Sequence, residues 1–313
     1  MPEGSIRIGH LSTLYHTAFL LRGSNLLADQ NLNTTWTLFS SGPDIISAMQ
    51  SGRLDLGYIG LPPVLIGIDR GLRLACIAGG HIEGTVMIAG NTIRTLDECS
   101  NMQDFLSQMS GKTIGTPPKG SIHDVIVHDL LQRYKRTDVM VKNYPWADFL
   151  PDALSSGEIA AAAGTPALAA TARRYGNGRL VVPPDRLWPF NPSYGIIVMR
   201  EMLKKSSTLT GFLTAHETAC EWIRHDPKTC ARLVADTTGM IDAAFVEETY
   251  RISPKYCAAL PPEYIASTMK FARALHSLGY ISREIREDEC FEKSLIEKVH
   301  PGPHHYEAKI ADE

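Results

Sequence analysis

The feature that most constrains this chain is a repeated change of period along its first two hundred residues. Short apolar or alternating runs, the mark of strands, keep giving way to stretches with three- and four-residue apolar spacing, the mark of helices. Ser5–His10 reads as a strand, Thr17–Leu27 as a helix, Thr35–Phe39 as a strand and Ile45–Ser51 as a helix. Strands at Leu54–Ile59, Leu72–Ala78 and Thr85–Ala89 follow, with a helix from Gly60 to about Ile68 between the first two. A second series starts at Lys112–Gly115 and runs through a helix at Ile122–Tyr134 and a strand at Val139–Val141. A helix at Pro145–Ser155 and strands at Ile159–Ala163, Arg179–Val182 and Tyr194–Met199 complete it. Such alternation predicts an α/β fold with mainly parallel sheets covered by helices on both faces. From about Leu209 the pattern is helical throughout, with helices expected at Leu213–Ile223, Pro227–Thr237, Asp242–Tyr250 and Pro262–Leu278. The last dozen residues read as a loose tail.

At 313 residues the chain is long for one core and comfortable for two. A net charge of −3 with 21% charged residues gives no electrostatic grip on nucleic acid or on an anionic membrane. No apolar run reaches the roughly 20 residues of a membrane helix, so direct membrane insertion is not expected. Met1–Ser5 has neither a basic nor an apolar leader character, which leaves two expectations open. Either the protein is cytoplasmic, or it is extracytoplasmic and a leader is missing from this text. The six cysteines (Cys76, Cys99, Cys220, Cys230, Cys257 and Cys290) form no C-x-x-C pair and are too sparse for a disulfide scaffold. Buried free thiols are expected.

In α/β sheets ligands collect where strands end and helices begin, because helix N-termini present unpaired N–H groups and a partial positive charge. The candidate ligand residues therefore lie on strand-end loops: Ser12, Leu14, Tyr15 and His16, then Ser40, Ser41 and Gly42, then Gly60, Leu61 and His81. Facing them are Lys119, Ser121 and His123, with Gly164 and Thr165, and Tyr194 near a crossing. Each has an ordinary structural reading too. Serines cap helices, Lys119 fits a solvated loop, and Tyr58 and Trp146 fit packing roles. His16, His81 and His123 on separate loops fit anion donors or metal ligands, but no metal-binding spacing supports the second. His300 and His304 form the only H-x-x-x-H pair, with Pro301-Gly302-Pro303 breaking any shared helix face. No cofactor and no metal is assigned. Gly115–Gly120 (GTPPKG) lacks the order of a phosphate loop, which excludes a nucleoside-triphosphatase reading.

The order of motifs resembles the periplasmic-binding-protein-like family of ABC-transporter substrate-binding proteins for nitrate, sulfonate, taurine and thiamine precursors. The resemblance runs from about Ile6 to Tyr280. It is carried by Leu11–His16, by Ser41–Asp44 with Gly52-Arg53-Leu54-Asp55-Leu56-Gly57-Tyr58, by Gly60–Pro63, by Met109–Gly115 and by Ser156–Ala161. Two departures stand out. Ala160 occupies a place where the family usually has Asp, and Gly164-Thr165-Pro166 replaces a Trp-x-Pro turn. The resemblance implies two lobes, 1–86 with 194–313 and 87–193, joined by two crossover strands near Thr85–Ala89 and Ser193–Ile197. It implies hinge closure on a small-molecule ligand (a sulfonate, oxyanion or heterocycle) and a permease as the membrane partner. Two rivals share the fold: an enzyme of the sulfinate-cleaving or pyrimidine-synthase kind, and a cytosolic sensor or carrier. Against the enzyme, no cysteine falls in a predicted cleft loop.

Overall fold

The computed structural model describes residues 5–175 and 178–307, so part of the expected loose tail lies outside the described residues. Ten strands and fourteen α-helices follow in chain order. They are β1 (Ile6–His10), α1 (Ala18–Gly23), β2 (Thr34–Leu38), α2 (Gly42–Gln50), β3 (Leu56–Ile59), α3 (Leu61–Asp69), β4 (Leu74–Ile82) and β5 (Val86–Ala89). Next come α4 (Met102–Ser107), β6 (Thr113–Thr116), α5 (Ile122–Arg133), β7 (Met140–Asn143), α6 (Leu150–Ser155), β8 (Ala161–Gly164), α7 (Pro166–Tyr175), β9 (Arg179–Val182), α8 (Pro184–Leu187) and β10 (Pro192–Met199). The remainder is helical: α9 (Ser206–His225), α10 (Pro227–Thr238), α11 (Ala243–Ile252), α12 (Pro262–Ser277), α13 (Glu287–Cys290) and α14 (Ser294–Val299). No described helix is long and apolar enough to cross a membrane.

Two five-stranded sheets result, ordered β2-β1-β3-β10-β4 and β7-β6-β8-β5-β9. The expectation of mainly parallel sheets holds for only half of the pairings. β1 runs parallel to β2 and β3, and β6 parallel to β7 and β8, but β10 is antiparallel to β3 and β4, and β5 is antiparallel to β8 and β9. The reason is topological. A strand arriving from the other sheet enters at the end where local strands finish, so it must run against them. Periodicity within one segment carries no information about that direction.

The chain crosses between sheets twice, after β4 and again between β9 and β10. The crossings are tied to each other. Glu83 N–H donates to Asn191 O at 2.6 Å, and Glu83 Oε1 accepts from Phe190 N at 2.9 Å. Lys255 pairs with the other Glu83 oxygen at 2.6 Å. Glu83 and Phe190 both hold positive φ angles, 59° and 54°, a conformation that costs a non-glycine residue of order 1–3 kcal/mol and persists only where neighbours enforce it.

β4 is buried along its full length although it ends the sheet order. Its outer edge is covered by later chain. Gly79 N–H donates to Ala258 O at 2.8 Å, Cys257 N–H to Gly80 O at 3.2 Å and Glu292 N–H to Cys76 O at 3.0 Å. Covering an edge this way removes a template for aggregation. Gly80 is required on the inner side: a Cβ there would lie 2.1 Å from the Tyr194 ring. Within the return crossing, Trp188 is fully buried, stacks on Phe271 of α12 at 4.0 Å and donates from Nε1 to Ser267 Oγ at 3.0 Å. Trp188→Ala should lower the free energy of unfolding by about 3–5 kcal/mol, from lost contacts and the cavity left behind. Urea unfolding followed by circular dichroism checks this, and a change below about 1 kcal/mol would refute the anchoring role.

Candidate functional site

Four helices begin around one cavity between the sheets. α2 starts after its N-cap Ser41, α3 after Gly60, α5 after Ser121, and α7 at Pro166, immediately after Thr165. Two of these caps are made by serine hydroxyls, which accept from Asp44 N and Asp124 N at 3.3 Å each. The local sequence explains the arrangement. In three of the four, Pro43, Pro62 or Pro166 sets the first helical turn, while α5 begins without one after its Ser121 cap.

The cavity is about 60 Å³ and is lined by Leu11, Ser12, Thr13, Ser40, Ser41, Gly42, Gly60 and Pro63 from the first lobe. Pro117, Ser121, Ile122, His123, Ala147 and Thr165 line it from the second. Among the described lining residues none is an Asp, Glu, Lys, Arg or Cys. Polarity comes from hydroxyls, one imidazole and helix N-termini, while Leu11, Pro63, Pro117 and Ile122 make apolar wall. The lobes touch at its rim. Trp146 Nε1 donates to Ser12 Oγ at 3.4 Å, and a Cβ on Gly60 would stand 3.2 Å from Ile122 Cβ. Gly60 therefore lets the walls meet.

His123 is buried, and burial lowers its pKa to about 4, so the ring is neutral near pH 7. Thr85 Oγ1 accepts from Asn191 Nδ2 at 3.0 Å and lies 3.0 Å from His123 Nδ1. With the Thr85 hydroxyl donating to Nδ1, the ring carries its proton on Nε2 and is a donor. This chain of bonds joins both crossings to a cavity residue. At the α2 end, the Ser40 and Ser41 hydroxyls both donate to Asp44 Oδ2, at 2.6 Å for Ser41. A ligand that engages them must draw them away from that carboxylate.

Of the candidates from sequence, Ser12, Ser40, Ser41, Gly42, Gly60, Ser121, His123 and Thr165 come together on the cavity. Leu14, Leu61, Lys119 and Gly164 are not on its lining. The Lys119 ammonium sits 5.5 Å from the centre of the Tyr280 ring. Tyr15, His16, His81 and Tyr194 are buried, within a cluster of rings inside the first lobe. His16 lies 4.1 Å from Tyr194 and Tyr15 lies 4.5 Å from His81, centroid to centroid. His81 is held by Ser193 Oγ at 3.0 Å and Ser253 O at 2.6 Å, and His216 by Thr17 Oγ1 and Gly79 O at 2.8 Å each. His16 Nδ1 is buried without a hydrogen-bond partner. Sequence reasoning did not single out Leu11, Thr13, Pro63, Pro117, Ile122 or Ala147, although Thr13 and Ile122 lie inside the loops Ser12–His16 and Pro118–His123 expected at the cleft. Thr13 and Pro117 sat inside or beside loops already singled out, whereas an apolar wall residue gives no signal that separates it from core.

A sequence profile of the NMT1-like family matches residues 2–239, and the chain belongs to that family. A search of curated proteins found no match. Among solved structures, the chain is similar to a zinc-bound ligand-binding component of an ABC-type import system from Staphylococcus aureus, at 17% identity and a TM-score of 0.78. That match covers 96% of this chain and 100% of the other. It is similar to the alkanesulfonate-binding protein SsuA of Xanthomonas axonopodis pv. citri bound to MOPS, at 18% identity and TM-score 0.77, covering 94% and 100%. It is also similar to the periplasmic nitrate-binding protein NrtA of Synechocystis PCC 6803, at 11% identity and TM-score 0.77, covering 99% and 91%. The fold is that of periplasmic binding proteins.

Burial lowers the pKa of His10, His123 and His216 to about 4 and that of His81 to about 3. Each is below the value near 6.5 of an unfolded histidine, so the unfolded chain binds more protons between about pH 4 and 6.5. Their stabilising contribution is complete above about pH 6.5 and is lost as the pH falls toward 4. Each proton taken up adds a slope of about 1.4 kcal/mol per pH unit. The urea midpoint should therefore drop steeply from pH 6.5 to 5, with more than one proton taken up on unfolding. A flat profile over that interval would show that these rings are not held neutral.

Proposed function

We infer that the protein is a solute-binding protein that captures a small anionic or polar ligand in this cavity. The lobes, 1–86 with 194–313 and 87–193, close on it about the paired crossings, and a membrane permease receives it. The observation that carries the reading is the convergence of four helix N-termini on one cavity without a charged side chain among its described lining residues. Helix N-termini and hydroxyls hold an oxyanion through N–H and O–H donors. The apolar wall then faces whatever short organic group the oxyanion carries. At about 60 Å³ the cavity suits a compact head group rather than the larger ligands of pockets measuring 300–1,000 Å³. Two structures of like fold are named for alkanesulfonate and for nitrate, which are oxyanions.

The reading is tested by isothermal titration calorimetry against nitrate, methanesulfonate, taurine and a neutral pyrimidine. One site per chain is expected for at least one oxyanion, with the pyrimidine weaker. Ser41→Ala and Thr165→Val should each weaken binding by about 10- to 100-fold, the worth of a hydrogen bond to a charged group. The ligand should be recovered chemically unaltered, and its conversion would favour an enzyme instead. Absence of binding across the panel, or affinity in both variants unchanged from that of the unaltered chain, would overturn the assignment.

A further inference from the structure

One group of side chains able to hold a metal stands well away from the cleft. It comprises Glu217 of α9, Cys257 in the segment between α11 and α12, and His300 and His305, which follow α14. One ligand atom from each lies within 4.8 Å of every other. Cys257 Sγ is 3.7 Å from His300 Nε2 and 4.0 Å from His305 Nδ1, while His300 Nδ1 is 3.6 Å from Glu217 Oε1. The last separation is too long for a hydrogen bond. Four ligands around zinc, with metal–sulfur near 2.3 Å and metal–nitrogen near 2.0–2.1 Å, lie roughly 3.3–3.7 Å from one another. The widest-spaced of the four atoms need to draw in by up to about 1.5 Å to meet that shape.

The surroundings fit ligands held in place rather than surface groups in passing contact. Cys257 is fully buried, and the His300 and Glu217 side chains are only 8% and 13% exposed. Ala258 N–H donates to Glu217 Oε2 at 2.7 Å, leaving Oε1 on the side of the histidines. Pro303 O lies 3.1 Å from His300 Nε2 and can accept its hydrogen, which leaves Nδ1, on the Glu217 side, for a cation, so the 3.7 Å contact of Cys257 with Nε2 is not itself a ligand–ligand separation. Arg224 stands 3.2 Å from Glu217 Oε1 and is anchored on Tyr256 O at 2.9 Å. A thiolate, two imidazoles and a carboxylate suit zinc and not the oxygen-seeking magnesium or calcium. Four protein ligands also close the shell, as in structural and not catalytic zinc sites.

We propose that Glu217, Cys257, His300 and His305 form a structural zinc site that fastens the C-terminal segment over the covered edge of β4. Cys257 pairs its backbone with Gly80 of β4, and Tyr306, one residue past His305, is fully buried with its hydroxyl on Ala259 O at 3.0 Å. The metal would join the last described turn of the chain to α9 and to the strand that leads into the first crossing.

The test uses the full chain, stripped with a chelator and titrated with zinc chloride against a chromophoric competitor. One equivalent should bind with a sub-micromolar dissociation constant. Cobalt should give a thiolate-to-cobalt charge-transfer band and the intense visible bands of a four-coordinate centre. Cys257→Ser should abolish the charge-transfer band, and His305→Ala should weaken zinc binding by more than about tenfold, with nitrate or sulfonate titrations unchanged. If Cys257→Ser fails to fold, His305→Ala and the cobalt spectrum of the unaltered chain decide the matter. No zinc binding, a cobalt complex without thiolate, or unchanged affinity in His305→Ala would overturn the proposal.

Discussion

The two crossings between the sheets are held against each other by one carboxylate. Glu83 receives Phe190 N–H and Lys255, while its own backbone N–H is given to Asn191. The tie holds the two crossings side by side, and Thr85 and Asn191, one from each, lie next to His123. Glu83 and Phe190 pay a backbone cost there, and the surrounding bonds over-determine them. Under the proposed function these crossings would serve as the hinge on which the lobes close.

The cavity that results works by geometry more than by charge. Its donors are helix N-termini and hydroxyls, and among the described lining residues no formal charge opposes or assists an anion. Under the proposed function, selectivity would rest on how many donors a ligand satisfies at once and on how well its remaining atoms fit Leu11, Pro63, Pro117 and Ile122. The Ser40 and Ser41 hydroxyls already serve Asp44, so a ligand exchanges one set of hydrogen bonds for another.

Much of this was legible in the sequence, for definite reasons. Ser41, Gly60, Ser121 and Thr165 each stand between a strand signal and a helix signal, and in an α/β fold such positions collect at strand ends. Tyr15, His16, His81 and Tyr194 were grouped with them because they lie in or beside those loops. Whether a ring there turns toward a cavity or into a core depends on the neighbouring lobe, which local pattern does not encode. Strand direction at β5 and β10 escaped for the same cause. The Glu217–Cys257–His300–His305 group was hidden more completely, since its members come from three segments far apart in the chain. The one regular spacing, His300 to His304, is interrupted by Pro301-Gly302-Pro303 and says nothing of His305. His304 packs edge-on against Phe190 at 5.9 Å, while the next residue along faces Cys257.

β10 lies between β3 and β4, yet it is made more than a hundred residues later. During synthesis β4 therefore has no neighbour on its inner side until the whole second lobe has emerged, and its outer cover arrives later still, with Cys257 and Glu292. All the strands of the second sheet, by contrast, lie in one continuous stretch from Val86 to Val182. The middle of the chain can complete its sheet first, and the two ends must then find each other around it. Closing so long a loop is slow, and an uncovered apolar β4 is exposed throughout the wait. The order of assembly is written into the interleaving of strands, and it makes β4 the segment that chaperones have most reason to shield.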